Sequence, residues 1–242
     1  GSNGVTVEGL YLDGTNGAGL PSPTVNADQV TFSRNDITNN HTGICFALGH
    51  QDWGRANGAN IEFNRIHDCG RLPATNHDHG IYITAATGVD IRGNWIYDNA
   101  DRGIQLYPDA QSTTITGNVI DRNGQGIIFS GEGGLASSGN LVEGNVITNS
   151  RLRNNVESWY PEGNPIGRDN VVRNNCVKGG AYDDGDGGIG DQRGFRVLST
   201  VESRPSFNDR AKDDLRLAEG SPCRGLLAFR GVTPGPDGAA AP

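Results

Sequence analysis

The sequence contains no methionine and only two lysines, Lys178 and Lys212, among its 20 basic residues. The 28 acidic residues outnumber the basic ones, and the formal net charge is −8. An acidic chain without a basic stripe is not expected to bind nucleic acid. The sequence also lacks any run of about 18 apolar residues, so it predicts no membrane-spanning segment.

Apolar residues are scarce, at 34% of the 242 residues, and aromatic residues make up only 7%. With 37 glycines, this composition is too polar and too rich in glycine for a helical globule. The apolar residues that are present are regularly spaced and largely β-branched, which argues against a disordered chain. The composition favours an all-β fold with many tight turns, and the length is sufficient for one sizeable core.

The four cysteines are even in number, which permits two disulfides and is consistent with an exported protein. No signal peptide is recognisable at the N-terminus. However, Gly1-Ser2 resembles the remnant of an expression tag, and the lack of methionine fits a trimmed start. The sequence is therefore compatible with a removed leader and with a fragment of a longer protein.

A repeated unit organises the chain: an apolar residue, two variable residues, Asn, one variable residue and a second apolar residue. The asparagines are separated by 29, 30, 24, 27 and 30 residues, and self-similarity at this period indicates a solenoid. We number the coils 1 to 6 by these residues, with a degenerate copy around Val7, Leu10 and Leu12 as coil 0. The asparagines are Asn35, Asn64, Asn94, Asn118, Asn145 and Asn175.

The Asn of each unit is expected at a bend between two short strands, where it tolerates left-handed backbone geometry. Stacked coils lie ~4.8 Å apart, so equivalent Asn side chains can form a ladder of amide hydrogen bonds. A second motif, Gly-Ile-x-apolar, follows in coils 1 to 4, at residues 43–46, 80–83, 103–106 and 126–129. Period-two alternation predicts that its two apolar residues point inward. The residues predicted to point outward are Cys45, Tyr82, Gln105 and Ile128.

The C-terminal part departs from the repeat, because residues 178–194 are rich in Gly and Asp and the Asn column ends at Asn175. The open end of a solenoid exposes unpaired strand edges and must be covered. We therefore expect coils over residues 3–177, the last coil and a cap over 178–230, and a disordered tail over 231–242. The predicted fold is an all-β parallel β-helix of about seven coils with a C-terminal cap.

With its Asn column and Gly-Ile strands, the chain resembles the right-handed parallel β-helix repeat proteins of the pectin-lyase-like superfamily. Segments 77–83, 103–109, 214–217 and 220–222 look closest to secreted bacterial, especially actinobacterial, members. The superfamily includes polysaccharide lyases, glycoside hydrolases, C5-epimerases, phage depolymerases and non-catalytic surface proteins. The resemblance therefore implies a secreted or cell-surface protein with a polysaccharide or oligosaccharide partner, without choosing a reaction. The Asp-Pro-His-Glu motif of alginate epimerases is absent, which counts against that activity.

Polar residues stand just before the Gly-Ile strands, and aligning these strands places them on one outer surface. The predicted catalytic residues are His41, Asp78, His79, Asp101, Arg102 and Tyr82. In β-elimination from a uronate, Arg102 would neutralise the carboxylate and lower the barrier to loss of the α-proton. His79 or Tyr82 would serve as base or acid. Hydrolysis is the other option, if Asp78 and Asp101 face each other across a glycosidic bond.

Coil 2 carries an insertion, since Gly80 lies sixteen residues after Asn64, whereas the equivalent spacing is eight or nine in coils 1, 3 and 4. An insertion on one coil usually forms a loop on one face, and that face is often the binding face. The alternative is a tolerated surface excursion in which the histidines cap turns. The insertion favours a site on the outer face of coils 1 to 4.

Further residues are predicted to bind substrate because they extend this surface or can stack on a sugar ring. They are Gln105, Tyr107, Asp109, Trp53 and Trp159. Trp53 stands beside His50 and Asp52, in a loop that packing explains equally well. Glu132, Glu157 and Glu162 lie on the corresponding later edge.

Two metal sites are candidates, and a structural account is favoured over each. Asp183, Asp184 and Asp186 resemble part of a Ca²⁺ loop, but the spacing and the terminal Glu are incomplete, so a solvated acidic turn is favoured. A zinc site from His67, Cys69, His77 and His79 has suitable ligand types without a recognised spacing.

The cysteines are expected to form disulfides rather than a catalytic site. Cys176 stands on the last regular coil, where a cap carrying Cys223 should fold back, and Cys45 and Cys69 belong to adjacent coils. Among three possible connectivities, we expect 45–69 and 176–223.

Two functions remain open on the sequence. The first is a polysaccharide-active enzyme that cleaves a glycan by β-elimination or hydrolysis. The second is a non-catalytic glycan-binding or surface-structural β-helix, because no two carboxylates have a diagnostic spacing and only two lysines are available as a base.

Overall fold

The short apolar strands and asparagine bends wind into a right-handed parallel β-helix of about seven coils, seen in a computed structural model. The structure describes residues 2–228 and 233–237. Each coil contributes up to three strands, and equivalent strands pair in parallel to form three faces. The predicted all-β solenoid is therefore confirmed.

Faces 1 and 2 belong to one sheet, because the long strand β19 continues from one face to the other. Face 1 consists of β1 (Thr6–Glu8), β4 (Thr31–Ser33), β7 (Asn60–Glu62), β10 (Asp90–Arg92), β13 (Thr114–Thr116), β16 (Leu141–Glu143) and the start of β19 (Asn170–Gly180). Face 2 consists of β2 (Tyr11–Asp13), β5 (Asp36–Thr38), β8 (Arg65–His67), β11 (Trp95–Tyr97), β14 (Val119–Asp121), β17 (Val146–Ser150) and the end of β19.

Face 3 is a separate sheet and holds the longest strands of the middle coils. It consists of β3 (Thr24–Val25), β6 (Phe46–Leu48), β9 (Ile81–Thr87), β12 (Arg102–Gln111), β15 (Gln125–Ser130) and β18 (Val156–Trp159). The inward residues of all three faces fill one apolar core in which most side chains are fully buried. Pairing in register stacks equivalent residues of successive coils, so outward residues also form columns.

The Asn ladder predicted from the repeat is present at the bend between faces 1 and 2. Each Asn donates its amide N–H to the amide oxygen of the next, over 2.9–3.0 Å, from Asn35 through to Asn175. Shorter runs that the repeat did not reveal lie at the other bends, Asn99 to Asn123 and Asn140 to Asn170, each over 2.8 Å. These amides satisfy backbone groups that a bend would otherwise bury without a partner.

The predicted alignment of coil 1 is wrong by two residues. Phe46, rather than Ile44, pairs with Ile81 on the next coil. Cys45 therefore points inward, is fully buried and forms a disulfide with Cys69. Gly43 and Ile44 match the Gly-Ile-x-apolar motif in sequence but are not structurally equivalent to Gly80 and Ile81. The pairing of coil 1 with coil 2 sets the register.

Beyond coil 6 the chain adds β20 (Phe195–Val201) to β19 and then folds back along face 2. This cap contains β21 (Phe207–Asp209), a 3₁₀ turn (Arg210–Lys212), β22 (Asp214–Leu217) and α1 (Arg224–Ala228). The disulfide Cys176–Cys223 ties it to coil 6, so both predicted cysteine pairings are confirmed. Of the tail expected over 231–242, only residues 233–237 are described, and there Gly235 donates to the carbonyl oxygen of Gly93 over 2.7 Å.

Candidate functional site

A groove of about 320 Å³ crosses face 3 of coils 2 to 5, beside the insertion of coil 2. It is lined by Asn76, His77, His79, Tyr82, Arg102, Gln105, Tyr107, Ile128, Ser130, Glu132, Arg153 and Trp159. Strand register produces this collection, because Tyr82, Gln105 and Ile128 are direct neighbours on β9, β12 and β15. We call it the main groove.

The insertion of coil 2 forms one wall of the main groove and is fixed to coil 3 by Asp101. The Asp101 carboxylate accepts the backbone N–H groups of Asn76, His77 and Asp78, each over 2.9 Å. A second anchor is Asp78, which is buried and accepts two hydrogen bonds from the guanidinium of Arg71, over 2.6 and 3.1 Å. Both carboxylates are thus engaged in holding the loop, and neither is free to act on a substrate.

Arg102 lies at the centre of this surface and is only 6% exposed. It donates to the side-chain oxygen of Gln125 over 3.0 Å and to the backbone and side-chain oxygens of Asn76 over 2.8 and 2.6 Å. Its hydrogen bonds within the described chain all go to uncharged oxygens, including a longer one to Gln105. Burial lowers the pKa of this guanidinium, which nevertheless carries its charge at physiological pH.

His79 and Tyr82 lie next to each other in the main groove, with ring centroids 5.3 Å apart in an edge-to-face arrangement. Burial, together with the charge of Arg102, lowers the pKa of His79 well below 6.5, so the imidazole is neutral. Burial raises the pKa of Tyr82 to about 12, so the phenol keeps its proton. A neutral imidazole beside a protonated phenol is a suitable arrangement for a base and an acid.

Aromatic rings from three coils line the other side of the main groove. The ring centroids of Tyr82 and Tyr107 are 6.2 Å apart, and those of Tyr107 and Trp159 are 6.4 Å apart. The Tyr107 hydroxyl donates a short hydrogen bond to the carboxylate of Glu132. Burial and this neighbouring carboxylate raise the pKa of Tyr107. The rings of Tyr82 and Tyr107 are nearly parallel, at 15°, and Trp159 is tilted by 48° from Tyr107, so the three form an uneven apolar platform bordered by polar groups.

Several buried polar atoms at this surface have no hydrogen-bond partner among the described residues. They are His79 Nδ1 and Ser130 Oγ in the main groove and Gln125 Nε2 beside Arg102. Buried polar groups are nearly always paired in folded proteins, and exceptions often mark functional sites. Water or a polar ligand at this surface would supply partners for these three atoms.

Six of the eleven predicted site residues line the main groove: His79, Tyr82, Arg102, Gln105, Tyr107 and Trp159. Asp78 and Asp101 lie behind the loop that they anchor. Asp109 pairs with Arg55 over 2.6 Å, and the exposed Trp53 stacks on His50 with centroids 4.0 Å apart. Neither of these two lines the groove.

His41 is separated from the groove by the two-residue shift of coil 1. The backbone N–H of Cys45 bonds to the carbonyl of His79, so the residue beside His79 is Ile44 rather than His41. The His41 ring instead lies 2.9 Å from the carbonyl oxygen of Gly70 and 3.4 Å from the carboxylate of Asp68. The prediction that it shares a column with His79 is wrong.

Most of the residues named as metal ligands have other partners. Asp183 accepts the backbone N–H groups of Gly179, Gly185 and Gly187 and caps a turn. Asp186 caps Gly188 in the same way, and Asp184 is exposed. For zinc, Cys69 is in a disulfide and His67 bonds to two aspartates. No group of three His, Cys, Asp or Glu side chains in the described chain is arranged to hold a metal ion.

Arg153 and Asn76 are groove residues that the sequence did not identify. Asn76 belongs to the insertion, whose path depends on Asp101. Arg153 precedes β18, a face 3 strand without the Gly-Ile motif, so alignment by that motif passed over it. The pairing of Val156 with Ile127 places this segment beside coil 4.

The model for the family described as right handed beta helix region matches residues 1–190. The chain belongs to this right-handed β-helix family. No curated protein matches the chain in sequence. Among the described residues, no helix is long and apolar enough to cross a membrane.

The β-helix chain is similar in structure to the periplasmic alginate epimerase AlgG. A crystal structure of an AlgG mutant has a TM-score of 0.58 at 17% identity and matches 83% of this chain. A second crystal structure of AlgG has a TM-score of 0.49 at 18% identity and matches 79% of this chain. The β-helix described here spans 45% and 41% of those chains, and the likeness at this identity concerns the fold.

Proposed function

We propose that this β-helix protein is polysaccharide-active and binds a uronate-containing glycan in the main groove. The observation that carries the proposal is the platform of Tyr82, Tyr107 and Trp159 beside the buried cation of Arg102. Aromatic faces stack on the apolar faces of sugar rings, whereas the positive charge of a guanidinium attracts a carboxylate. The similarity to alginate epimerase, which acts on a uronate polymer, supports the same substrate class.

The proposed reaction is β-elimination, started by removal of the C5 proton of the bound uronate. Neutral His79 takes this proton, the C4–O bond breaks as the C4–C5 double bond forms, and Tyr82 protonates the leaving oxygen. Arg102 stabilises the negative charge that develops on the carboxylate. Binding of that carboxylate also offsets the charge of Arg102 and so raises the pKa of His79, which strengthens the base when substrate is present.

Hydrolysis is the weaker alternative, because it requires two free carboxyl groups across the scissile bond. The candidates Asp78 and Asp101 are engaged by Arg71 and by three backbone N–H groups. The non-catalytic alternative is supported by Arg102, because most of its N–H donors already bond to protein oxygens and are not free to stabilise a reacting carboxylate. In that case the groove would bind the glycan without changing it.

The two disulfides support an extracytoplasmic location, because such bonds persist in oxidising compartments. A secreted or periplasmic protein would meet extracellular polysaccharides, in agreement with the proposed substrate class.

The experiment is incubation of the protein with alginate, polygalacturonate and neutral glycans, followed by ultraviolet absorbance of unsaturated uronate and by a reducing-end assay. We expect unsaturated product from a uronate polymer, lost in His79→Ala and Tyr82→Phe. His50 is partly exposed and lies outside the main groove, so His50→Ala serves as the matched control and should retain activity. NMR in deuterated water would reveal C5 exchange without cleavage.

Each outcome decides between the proposals. Binding of a uronate polymer without product or exchange, unchanged in His79→Ala, would establish the non-catalytic function. Reducing ends without unsaturation would establish hydrolysis. Absence of both binding and turnover across the panel would overturn glycan recognition at this groove.

A further inference from the structure

A second cavity of about 240 Å³ adjoins the main groove on the other side of Arg102. The two cavities share Asn76, Arg102 and Arg153 in their linings, so they are neighbouring parts of one surface. The second cavity lies at the start of β15 and extends to Leu152, whereas the main groove follows β12 and β15 toward Ser130 and Glu132. The combined surface therefore runs along the strand direction.

The second cavity presents donors without matching acceptors. Gln125 is 2% exposed, and its side-chain oxygen accepts from Arg102 Nε over 3.0 Å, which fixes the orientation of the amide. The amide Nε2 is then left buried without a partner among the described residues. Leaving a buried donor unpaired is unfavourable unless a ligand or water supplies an acceptor.

Charge in this cavity points to an anionic ligand. Arg102 hydrogen-bonds to uncharged oxygens, and its pKa is lowered by burial and also by the nearby positive charge of Arg153. Arg153 bonds to Glu157 over 3.3 Å and is half exposed, so it has free donors for a ligand. The one carboxylate in the lining, Asp101, uses its oxygens for backbone N–H groups of the loop.

We infer that the second cavity is a sugar subsite that binds the carboxylate of the uronate next to the unit at His79. The inference rests on the proposed function, since it extends the same glycan beyond the main groove. Gln125 Nε2 and Arg153 supply the donors, and Leu152 and Ala74 form an apolar wall for the sugar ring. The oligosaccharide then lies along the strands rather than along the axis of the solenoid.

The experiment measures affinity by titration calorimetry for the uronate monosaccharides and for alginate and polygalacturonate oligosaccharides up to the hexasaccharide. Leu152 lines only the second cavity and is 50% exposed, so Leu152→Glu should fold normally. We expect this variant to weaken binding of the disaccharide and longer chains by about tenfold, because a like charge faces the substrate carboxylate. Binding of the uronate monosaccharide should change by less than about twofold.

Controls and outcomes separate this inference from the proposed function. The exposed Leu198→Glu, on β20, is the matched control for the added charge and should bind like the wild type. Wild-type affinity that does not increase from the monosaccharide to the disaccharide, with no effect of Leu152→Glu, overturns the second subsite and leaves the main groove intact. Failure of the wild type to bind any uronate oligosaccharide overturns the proposed function itself.

Discussion

At the scale of single residues, burial lowers the pKa of His79 and raises the pKa of Tyr82. The pKa of His79 falls well below 6.5, and that of Tyr82 rises to about 12. We therefore expect kcat/KM for the proposed elimination to stay level as the pH falls through 6.5 and to decline only at a more acidic pH. In the alkaline direction, Tyr82 should keep its proton until about pH 12.

The measurement is a pH–rate profile of kcat/KM, which reports the ionisation of the free enzyme. An acid limb with its midpoint near 6.5 would show that the free His79 titrates normally and would contradict the arrangement. The ring of His50 lies outside the groove, so His50→Ala should give the same pH–rate profile as the wild type.

His67 shows the opposite behaviour on face 2 of coil 2. Its ring nitrogens lie 2.7 Å from Asp36 and 2.8 Å from Asp68, and it stacks on Tyr97. Burial opposes protonation, but the hydrogen bonds to the two carboxylates outweigh it and raise the pKa to about 9. A pKa that is higher in the folded state stabilises the fold fully below pH 6.5, and this stabilisation is lost as the pH rises to about 9.

We expect the wild type to lose about 2 kcal/mol of unfolding free energy between pH 6 and 9.5 through His67, after allowance for the exposure of Asp68. His67→Gln should lose this dependence on pH and should be less stable at pH 6. Urea denaturation at both pH values tests this, with His50→Gln as the control. If the unfolding free energy of the wild type and of His67→Gln changed equally with pH, protonated His67 would not be paired with Asp36 and Asp68.

At the scale of elements, the Asn ladder holds successive coils in register. Asn118 donates to the carbonyl oxygen of Ile91 and to the side-chain oxygen of Asn145, and it accepts two N–H groups of Asn94. Asn118→Ala would leave several of these buried groups without partners, which destabilises the protein by about 3 kcal/mol. The exposed Asn208→Ala is the control and should leave the denaturation midpoint unchanged. A loss for Asn118→Ala below about 1 kcal/mol would show that the ladder is energetically minor.

The insertion of coil 2 depends on Asp101 in a similar way. Asp101→Asn keeps the shape but places an amide N–H against the backbone donors of residues 76–78. We expect faster proteolytic cleavage within 71–78 and a rise in KM for a uronate polymer of about tenfold, because Asn76 and His77 line the groove. Asp52→Asn, on an exposed loop, controls for the loss of charge. If proteolytic cleavage and KM were both unchanged in Asp101→Asn, Asp101 would not be needed to hold the loop in its binding position.

Local patterns were sufficient to predict the coils, the ladder and the cysteine pairs, because each depends on spacing that repeats along the chain. The register of coil 1 was not readable in this way. Gly43 and Ile44 imitate the strand motif, and only the pairing of Phe46 with Ile81 and the Cys45–Cys69 disulfide show the true alignment. The roles of Asp78 and Asp101 were equally hidden, since they depend on where the loop returns across coil 3.

At the scale of the whole molecule, the C-terminal cap closes face 2 rather than only the end of the solenoid. A second apolar cluster joins outward residues of coils 3 to 6, such as Trp95, Val119 and Val146, to Leu215 of the cap. The disulfide Cys176–Cys223 holds one end of the cap, and Arg210 holds its middle. The cap thus covers outward apolar residues on face 2 and leaves the groove on face 3 open.

Arg210 is the polar anchor of the cap. Its guanidinium donates to Asp98 and Asp213, each over 2.8 Å, and makes a short hydrogen bond to Asp121, whose side chain is fully buried. In Arg210→Gln, Asp121 would keep its bonds from Thr148 and Asn149 but would lose its only charged partner in the described chain. An uncompensated buried charge of this kind destabilises a protein by about 3 kcal/mol.

Because the disulfide still holds residue 223, we expect Arg210→Gln to loosen the cap between residues 202 and 217 without releasing it. Limited proteolysis should then cut this segment before the coils, whereas the wild type should resist. The matched control is Arg216→Gln, on the same cap, since Arg216 is exposed and its salt bridge within the described chain is to Asp214, two residues away. Equal cleavage of the two variants would mean that Arg210 does not anchor the cap. Selective cleavage of Arg210→Gln, with glycan binding retained, would show that the cap stabilises the solenoid independently of the groove on face 3.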